Sequence, residues 1–327
     1  MTIVARVRRT IRERALLQPG ARVLVACSGG PDSAALLFTL ARLAGPLRLD
    51  LHAASVDHGL RASSAADVAI AAEQAAAVAV PFHALRVRVE RAGSLQAAAR
   101  RARYQALHAL ASRIEASAIA VGHTRDDQAE TVLARLLRGA SVLGLSGIAP
   151  RRADGVIRPL IDCDRAQVQA FAARHAPRVA RDASNEDPRF QRVRLRSRVL
   201  PVLQAENGDL IGRLCALADD ARALRGALGP ASEALLERSS EGGGIIDVSS
   251  WRTEPEAIRR MALRASLEPR LGAPLSRAHL TQLDAAIARG ASVEVWLPGD
   301  VSAVLQQSGS LSLRRSRTRR RTRARRG

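Results

Sequence analysis

Apolar and polar residues alternate in blocks along about the first two hundred positions, and the blocks predict strands and helices in turn. Short apolar runs predict strands at 22–27, 49–56, 82–89 and 118–122. The longer stretches between them predict helices at 33–43, 64–78, 95–112 and 126–137. This alternation is typical of an α/β fold, a doubly wound parallel sheet with helices on both faces. Ligands of such sheets bind beyond the carboxyl ends of the strands, so we expect the functional residues there.

The pattern changes after residue 205. Long helical signals follow at 210–237 and 255–267, with short strand-like runs at 244–248 and 293–297. They predict a second, smaller, mainly helical α+β domain over 206–313, after a catalytic domain over 1–205. Residues 314–327 hold nine arginines and no acid, which predicts a disordered arginine-rich tail.

The loop after the first predicted strand carries the strongest chemical signal: Ser28, Gly29, Gly30, Pro31, Asp32 and Ser33. A glycine turn that opens a helix aims backbone N–H groups and the positive helix end at one point, which suits a phosphate. The carboxylate of Asp32 would repel a phosphate unless a cation such as Mg²⁺ lay between them. A tight turn with Pro31 at the first helical position explains the same residues without a ligand.

Several other classes of protein are disfavoured. The chain contains no lysine, which the G-x-x-x-x-G-K-[ST] phosphate loop requires, and no G-x-G-x-x-G follows a strand. Its three cysteines, Cys27, Cys163 and Cys215, form no C-x-x-C pair, so zinc ribbons and iron–sulfur clusters have no support. No apolar run approaches the length of a membrane span and no signal-peptide core is present, so we expect a cytoplasmic protein without a membrane partner.

The charge of the chain points to a polyanionic partner. The formal net charge is +20, and all 51 cationic side chains are arginine. Taking away the nine tail arginines leaves about +11, so the folded part is also basic. Such a field attracts RNA or DNA. A genome biased towards alanine and arginine would explain the absence of lysine, but it explains the charge excess less well.

An acidic cluster follows the fourth predicted strand. Asp126, Asp127 and Glu130 fall in the first turns of the next helix, where acids are stabilised, and Thr124 with Asp127 resembles a capping pair. Two neighbouring strand ends would bring this cluster beside Asp32. Alone, the cluster is explained equally well as the acid-rich first turn of a helix. Beside Asp32, it predicts a divalent-metal site in which Asp32 and Asp127 hold Mg²⁺ on a triphosphate.

Weaker signals surround these two segments. Asp57 and His58 follow the second strand, where a nucleoside could lie, although a plain turn explains them as well. Arg100 and Arg103 share a helix face beside Tyr104, which suits either a phosphate clamp or a solvated surface.

A third basic segment lies just before the predicted domain boundary. Arg192, Arg194 and Arg196 stand at alternate positions, which on a helix spreads them over more than one face. A helix needs only one solvated face, so the surplus favours contact with RNA.

Taken together, these segments resemble the tRNA(Ile)-lysidine synthetase family of the PP-loop N-type ATP pyrophosphatases. The first four matching motifs are S-G-G-P-D-S at Ser28, V-D-H-G-L-R at Val56, A-R-R-A-R-Y at Ala99 and G-H-T-R-D-D-Q-A-E-T at Gly122. The later ones are L-R-G at Leu137, G-L-S-G at Gly144, R-P-L at Arg158, D-A-S-N at Asp182 and R-F-Q-R-V-R-L-R at Arg189. The chain departs from the family at Val193, where asparagine is usual, and at Gln96, where glutamate is common. We expect it to resemble the short form of the family, without the further C-terminal domain of longer members.

The resemblance implies a ligase that acts on the wobble cytidine of a minor isoleucine tRNA with a CAU anticodon. ATP adenylates the C2 oxygen of the base, and free L-lysine then displaces AMP. Ser28, Gly29, Gly30 and Ser33 would hold the phosphates, and Asp127 or a neighbouring acid would hold the lysine ammonium. Asp126 and Glu130 are those neighbouring acids, and with Asp32 and Asp127 they are the candidate catalytic residues. The oligomeric state, including a homodimer, stays open.

Two other functions compete with this one. A PP-loop tRNA thiolase shares ATP and tRNA but needs cysteines placed to carry sulfur, and the three here are scattered. A non-catalytic basic RNA-binding module would gain nothing from the carboxylates of Asp32, Asp126 and Asp127, which weaken the binding of a polyanion unless they hold a metal.

Overall fold

The computed structural model describes residues 1–59, 64–89, 95–180, 187–239 and 244–315. The end of the V-D-H-G-L-R motif, the D-A-S-N motif, the side chain of Gln96 and the tail from 316 to 327 lie outside the described part. The chain divides into two compact units. The first comprises Met1–Arg135 and Gly147–Ala218, and the second comprises Leu136–Ser146 and Asp219–Gly327.

A five-stranded parallel sheet forms the centre of the first unit. Its strands are β1 (Arg22–Ala26), β2 (Asp50–Asp57), β3 (Phe82–Arg86), β4 (Ala118–Ala120) and β5 (Val156–Ile157). Their order is β3-β2-β1-β4-β5. The chain builds the sheet outward on one side of β1 and then on the other, so the strand order reverses at the neighbouring strands β1 and β4. Four strands and their parallel arrangement were predicted from the sequence. The fifth was not, because two residues are too short for a periodic pattern.

Helices cover both faces of this sheet. They are α1 (Ile3–Glu13), α2 (Pro31–Leu47), α3 (Ser64–Ala76), α4 (Leu95–Arg113), α5 (Arg125–Leu137) and α6 (Arg165–His175). Val23 and Val25 of β1 belong to one buried cluster with Leu36 of α2, whereas Leu24 between them belongs to another with Leu107 of α4. The alternation of successive side chains between two cores confirms the doubly wound α/β fold. The sequence pattern did not predict α1 and α6.

The basic segment is helical. It comprises α7 (Gln191–Arg194), a π-helical turn (Leu195–Val199) and α8 (Leu200–Glu206), and α9 (Leu210–Ser239) follows. Residues 192 and 196 are one turn apart, so their side chains project from the same side, whereas 194 and 198 project elsewhere.

The second unit contains an antiparallel sheet and two further helices. These elements are β6 (Ile246–Asp247), α10 (Glu256–Leu271), α11 (Arg277–Arg289), β7 (Val293–Leu297), β8 (Val301–Leu305) and β9 (Ser310–Arg315). The strand order is β6-β9-β8-β7. Trp251 lies fully buried in the core, and its indole N–H donates to Ser239 Oγ at 2.7 Å. The predicted smaller α+β domain is confirmed, although α11, β8 and β9 were not foreseen.

The structure corrects the start of the predicted tail. Arg314 and Arg315 are the last residues of β9, paired with Ser302 and Val301 of β8. Ladder hydrogen bonds hold these two arginines in the sheet, so only the residues after them can belong to a tail. Within the described residues, no helix is both long and apolar enough to cross a membrane.

Candidate active site

The loop between β1 and α2 has the geometry of an anion cradle. Gly29 has φ +76°, a backbone conformation that favours glycine. A Cβ at this position would also lie only 2.7 Å from the carbonyl oxygen of Asp67, so a side chain would clash. Ser33 Oγ accepts from the N–H of Ser28 at 3.1 Å and donates to the carbonyl of Gly30 at 3.0 Å. The first helical hydrogen bond joins Ala34 N to Gly30 O, so the N–H groups before it have no acceptor within the helix.

The segment after β4 lies directly against this loop. A Cβ on Gly122 would come within 3.0 Å of the Asp32 carbonyl group and 3.3 Å of Ser33 N. Only glycine permits that approach without displacement of the loop. The two predicted strand ends therefore meet, and the acids at the start of α5 lie beside the cradle.

Asp32 is the least compensated acid of the site. Its Oδ1 atom is buried and has no hydrogen-bond partner among the described residues. Burial, reinforced by the charge of Asp127, raises the pKa of Asp32 to about 6, although Arg165, Arg196 and Arg192 act in the opposite direction. A buried carboxylate oxygen without a partner is costly, and a cation would relieve that cost.

Asp127 has both of its oxygens engaged. Its Oδ2 accepts from the N–H and hydroxyl of Thr124 at 2.7 and 3.0 Å, which confirms the predicted capping pair. Its Oδ1 accepts from Arg165 Nη2 at 2.6 Å and from Arg192 Nη2. Burial alone would raise the pKa of Asp127, but Arg192 and Arg165 outweigh it and hold the pKa below its ordinary value.

Glu130 completes the acidic pair one turn further along α5. Its side chain is only 1% exposed and accepts hydrogen bonds from Arg165 Nη1 at 2.7 Å, Arg192 Nε at 2.6 Å and Arg196 Nε at 2.7 Å. Burial opposes ionisation, yet the arginines lower the pKa of Glu130 below its usual range. Asp127 and Glu130 are thus two carboxylates whose ionised form is favoured by three guanidinium groups.

Asp126, a candidate catalytic residue, has one carboxylate oxygen bound to the start of another helix. Asp126 Oδ2 accepts from the backbone N–H of Arg165 at 2.7 Å, at the first residue of α6. Asp164, the residue before α6, makes no side-chain capping bond of its own. Asp126 therefore caps α6 and fixes the residue whose guanidinium bridges Asp127 and Glu130.

Arg165 is a site residue that sequence reasoning missed. Its acidic partners lie 35 and 38 residues earlier in the chain. An aspartate followed by a helical stretch could have indicated the start of α6 at Asp164. No spacing rule, however, connects Arg165 with acids on α5.

Two of the three arginines predicted to contact RNA have acidic partners within the first unit. The guanidinium groups of Arg192 and Arg196 bind Asp127 and Glu130, and their contact with RNA stays a prediction. The spacing of the arginines along the basic segment could not show that their acidic partners lie on α5, 62 and 66 residues earlier in the chain. Arg192 is still 50% exposed, while Arg194 donates to the backbone carbonyls of Pro188 and Arg189 at 2.8 and 2.7 Å.

Asp57 and His58 lie at the carboxyl end of β2, as predicted. Asp57 accepts from the hydroxyl of Ser64 and from the N–H of Gly59, which lower the pKa of its carboxyl group. Both partners lie close to Asp57 in the chain, and Ser64 is the first residue of α3. The geometry of the described residues therefore neither supports nor opposes the predicted contact of Asp57 and His58 with a nucleoside.

Arginines surround the one tyrosine of the chain. The guanidinium groups of Arg100, Arg103 and Arg152 lie 4.9, 5.4 and 5.1 Å from the ring centroid of Tyr104. Such stacking orders arginines that would otherwise repel each other. The predicted pairing of Arg100 and Arg103 on one face is therefore a real cluster, and Arg100 is exposed to solvent.

His123 follows β4 and has Arg158 as its hydrogen-bond partner. Arg158 Nε donates to His123 Nδ1 at 3.3 Å. Burial, helped by the charge of Arg158, lowers the pKa of His123 to about 3. The imidazole is therefore neutral at physiological pH and adds no charge to the site.

The donor set fits a magnesium ion that arrives with a nucleotide. Within the described residues, no group of three or more His, Cys, Asp or Glu side chains is arranged to hold a metal. Mg²⁺ commonly takes only one or two carboxylates and completes its shell with phosphates and water. The unpartnered oxygen of Asp32, with Asp127 near enough to raise its pKa, suits that role.

Comparison with known proteins places both units in one family. Residues 2–203 match the model of a PP-loop domain, and residues 246–319 match the model of a TilS substrate binding domain. The chain is 38% identical over 322 residues to the tRNA(Ile)-lysidine synthase of Salinispora arenicola, covering 95% of this chain and 96% of that one. It is 40% identical over 309 residues to the enzyme of the same name from Thermobifida fusca, covering 90% and 91%.

Other relatives match less of their length. The chain is 43% identical over 219 residues to the tRNA(Ile)-lysidine synthase of Symbiobacterium thermophilum, but this match spans 64% of this chain and 45% of that protein. Among solved structures, the U34-tRNA thiolase NcsA of Methanococcus maripaludis, with its [4Fe-4S] cluster, superposes with a TM-score of 0.57 at 16% identity. That superposition covers 67% of this chain and 77% of the thiolase, and it shows a shared fold.

Proposed function

The chain belongs to the tRNA(Ile)-lysidine synthase family, and we propose that the site after β1 and β4 joins free lysine to the wobble cytidine of an isoleucine tRNA. The observation that carries the proposal is the close approach of Gly122, which precedes α5, to Asp32 and Ser33 of the anion cradle, with the charge of Asp127 acting on Asp32. A phosphate cradle binds ATP, and the acids serve a cationic second substrate. The comparisons establish the family; the residue roles below are our proposal.

In the first step the cradle would hold the ATP phosphates. The backbone N–H groups of Gly29 and Gly30 and the hydroxyls of Ser28 and Ser33 supply donors for anionic oxygens. Asp32 and Asp127 would hold Mg²⁺, which supplies neutralisation of the charge on the pyrophosphate leaving group. Attack by the cytosine C2 oxygen on the α-phosphate then forms the adenylated base.

In the second step the acidic pair would hold the lysine side chain. The lowered pKa values keep Asp127 and Glu130 ionised, which makes them counter-ions for an ammonium group. Arg192 and Arg196 now compensate these charges, so they must share the carboxylates with the incoming amine. The amine attacks C2 once it has lost its proton, and AMP leaves.

The RNA would reach this site across a basic surface. The wobble base must leave its stack to enter the crevice, as bases of single-stranded loops can. Arg100, Arg103 and Arg194 are our candidates for contact with the RNA backbone, and Arg192 and Arg196 for contact at the acidic pair. We propose a cytoplasmic location, where tRNA is found. A homodimer is one assembly state, which sedimentation of the full chain would test.

Transfer of label from lysine to RNA tests the function directly. The full chain is incubated with ATP, Mg²⁺, labelled lysine and a minor isoleucine tRNA transcript, and the RNA is counted. We expect incorporation that depends on ATP and is not supported by labelled arginine, whose guanidinium is almost never deprotonated. Label in the absence of ATP, or none at all with an RNA-bound and folded enzyme, would contradict the proposal.

The thiolase alternative is weaker on structural grounds. Cys27 and Cys163 lie in the apolar core of the first unit, where burial raises the pKa of each thiol to about 12. A thiol kept protonated is a poor carrier of sulfur. Sulfur incorporation from a sulfide donor, without incorporation of lysine, would reverse this preference.

A further inference from the structure

Gln74 connects three segments of the first unit from a fully buried position on α3. Its Nε2 donates to the carbonyl of Gly29 at 2.9 Å and to the carbonyl of Arg178 at 2.7 Å, so both amide protons are used. The N–H of Ala180 also donates to Gly29 O at 2.9 Å. The carbonyl of the cradle glycine is therefore held from two sides.

This anchoring fixes the direction of a donor on the opposite edge of the same peptide. In a trans peptide the C=O and N–H vectors point in opposite directions, and the described residues contain no cis peptide bond. Because the Gly29 carbonyl is held towards Gln74, the N–H of Gly30 must point away from α3. No acceptor for it is found among the described residues, so it is free to meet a phosphate.

A glutamine at position 74 costs stability that an apolar residue filling the same space would not cost. Its Oε1 atom is buried and without a hydrogen-bond partner among the described residues. Leucine or methionine has a similar volume and would avoid this unsatisfied oxygen. The glutamine is thus best explained by its two amide protons, and one of them serves the cradle.

We infer that Gln74 is a positioning residue for ATP, which orients the Gly29–Gly30 peptide of the cradle so that its N–H faces the phosphates. The inference rests on the proposed function of that loop. Without the amide, Gly29 O retains one donor, the N–H of Ala180, and glycine has no side chain to restrict rotation of its backbone. Rotation of the peptide would turn a carbonyl oxygen towards the phosphates and repel them.

Calorimetric titration of the full chain with Mg·ATP tests this inference. We compare the wild type with Gln74→Leu and Gln74→Met, and thermal unfolding reports whether each variant folds. We expect the Kd for ATP to rise about tenfold in both. In turnover assays the KM for ATP should rise more than kcat falls, while the KM values for lysine and tRNA stay unchanged.

Glu73 provides the matched control. It precedes Gln74 on α3 and makes an exposed ion pair with Arg178 at 3.6 Å, so Glu73→Gln perturbs the same neighbourhood without touching the cradle. We expect wild-type ATP affinity in this variant. ATP affinity unchanged in Gln74→Leu or Gln74→Met, or parallel losses for ATP, lysine and tRNA, would overturn the inference. If the wild type itself fails to bind Mg·ATP, the proposed function falls and takes this inference with it.

Discussion

At the scale of single residues, the site sets two carboxylates in opposite electrostatic conditions. Asp127 lies under two guanidinium groups and stays ionised, whereas Asp32 has a buried oxygen without a partner and a raised pKa. In the absence of a bound cation, only the environment of Asp32 disfavours the ionised carboxylate. We therefore expect the two residues to respond differently to the same substitution.

We expect Asp32→Asn to abolish turnover yet stabilise the fold. The folded pKa of about 6 lies above the ordinary value of 3.8, so the ionised carboxyl destabilises the protein above pH 6. The variant should exceed the wild type by ~2 kcal/mol in unfolding free energy at pH 8. The advantage should disappear as the pH falls from 6 towards 4, where the wild-type carboxyl is protonated as well.

Urea unfolding in EDTA at several pH values measures this difference, and pyrophosphate release measures turnover. A variant less stable than the wild type at pH 8 would contradict the electrostatic assignment of Asp32. Pyrophosphate release close to the wild-type rate would contradict its proposed role in holding Mg·ATP.

Asp127→Asn should abolish turnover and lower stability. The substitution removes the charge that compensates Arg165 and Arg192, which costs ~2 kcal/mol because Arg165 is largely buried. We expect pyrophosphate release to fall about 10²-fold or more. Stability equal to the wild type in the same unfolding assay would show that the arginines find other partners.

At the scale of elements, α6 depends on a carboxylate from α5. Asp126→Ala removes the acceptor for Arg165 N, so we expect a loss of ~1 kcal/mol in unfolding free energy, as for other N-caps. Lysidine formation should slow much less than in Asp127→Asn, since the bridging guanidinium shifts but remains. Asp126→Asn, which keeps an acceptor oxygen, is the control and should preserve both quantities. A loss of activity as complete as that of Asp127→Asn would make Asp126 a catalytic residue after all.

The basic helix offers a pair of arginines with opposite expectations. Arg196 binds Glu130, whereas Arg198 is exposed two residues further along the π-helical turn. Arg196→Gln should lower the unfolding free energy by ~1 kcal/mol because a buried carboxylate loses one of its donors. Arg198→Gln should leave stability unchanged and, if it meets RNA, reduce the salt dependence of tRNA binding by about one ion. The reverse assignment of effects would contradict the structure.

Elements were predictable where local chemistry determined them. The β1–α2 loop can be recognised from the sequence because its conformation requires glycine at position 29 and accepts proline at position 31. Strands β8 and β9 were missed because each is stabilised by backbone hydrogen bonds to the other across a hairpin. The residue pattern of one strand does not show which segment it pairs with. Arg165 and Gln74 were missed for the same reason: their partners come from other elements, and only the fold brings them together.

At the scale of the whole molecule, the charge excess should act mainly on the rate and strength of RNA binding. Truncation after Arg315 removes seven arginines but keeps β9 complete. Binding of cognate and non-cognate tRNA should weaken by similar factors, because phosphate contacts carry little sequence information. The slope of affinity against salt should become shallower.

Binding curves at two salt concentrations, for the full and truncated chains, check this expectation. The ratio of affinities for the two RNAs should change little. A truncation that selectively loses the cognate tRNA would assign recognition to the tail, and the folded units would then supply only general affinity.

The scarcity of aromatic residues divides the optical signals of the molecule. Both tryptophans, the buried Trp251 and the half-exposed Trp296, belong to the second unit, and the one tyrosine, Tyr104, belongs to the first. Indole fluorescence therefore reports on one unit, while the absorbance of the phenol, beneath its three guanidinium groups, reports on the other. The unlabelled protein carries a separate probe in each part, and a single melting experiment can show whether they unfold together.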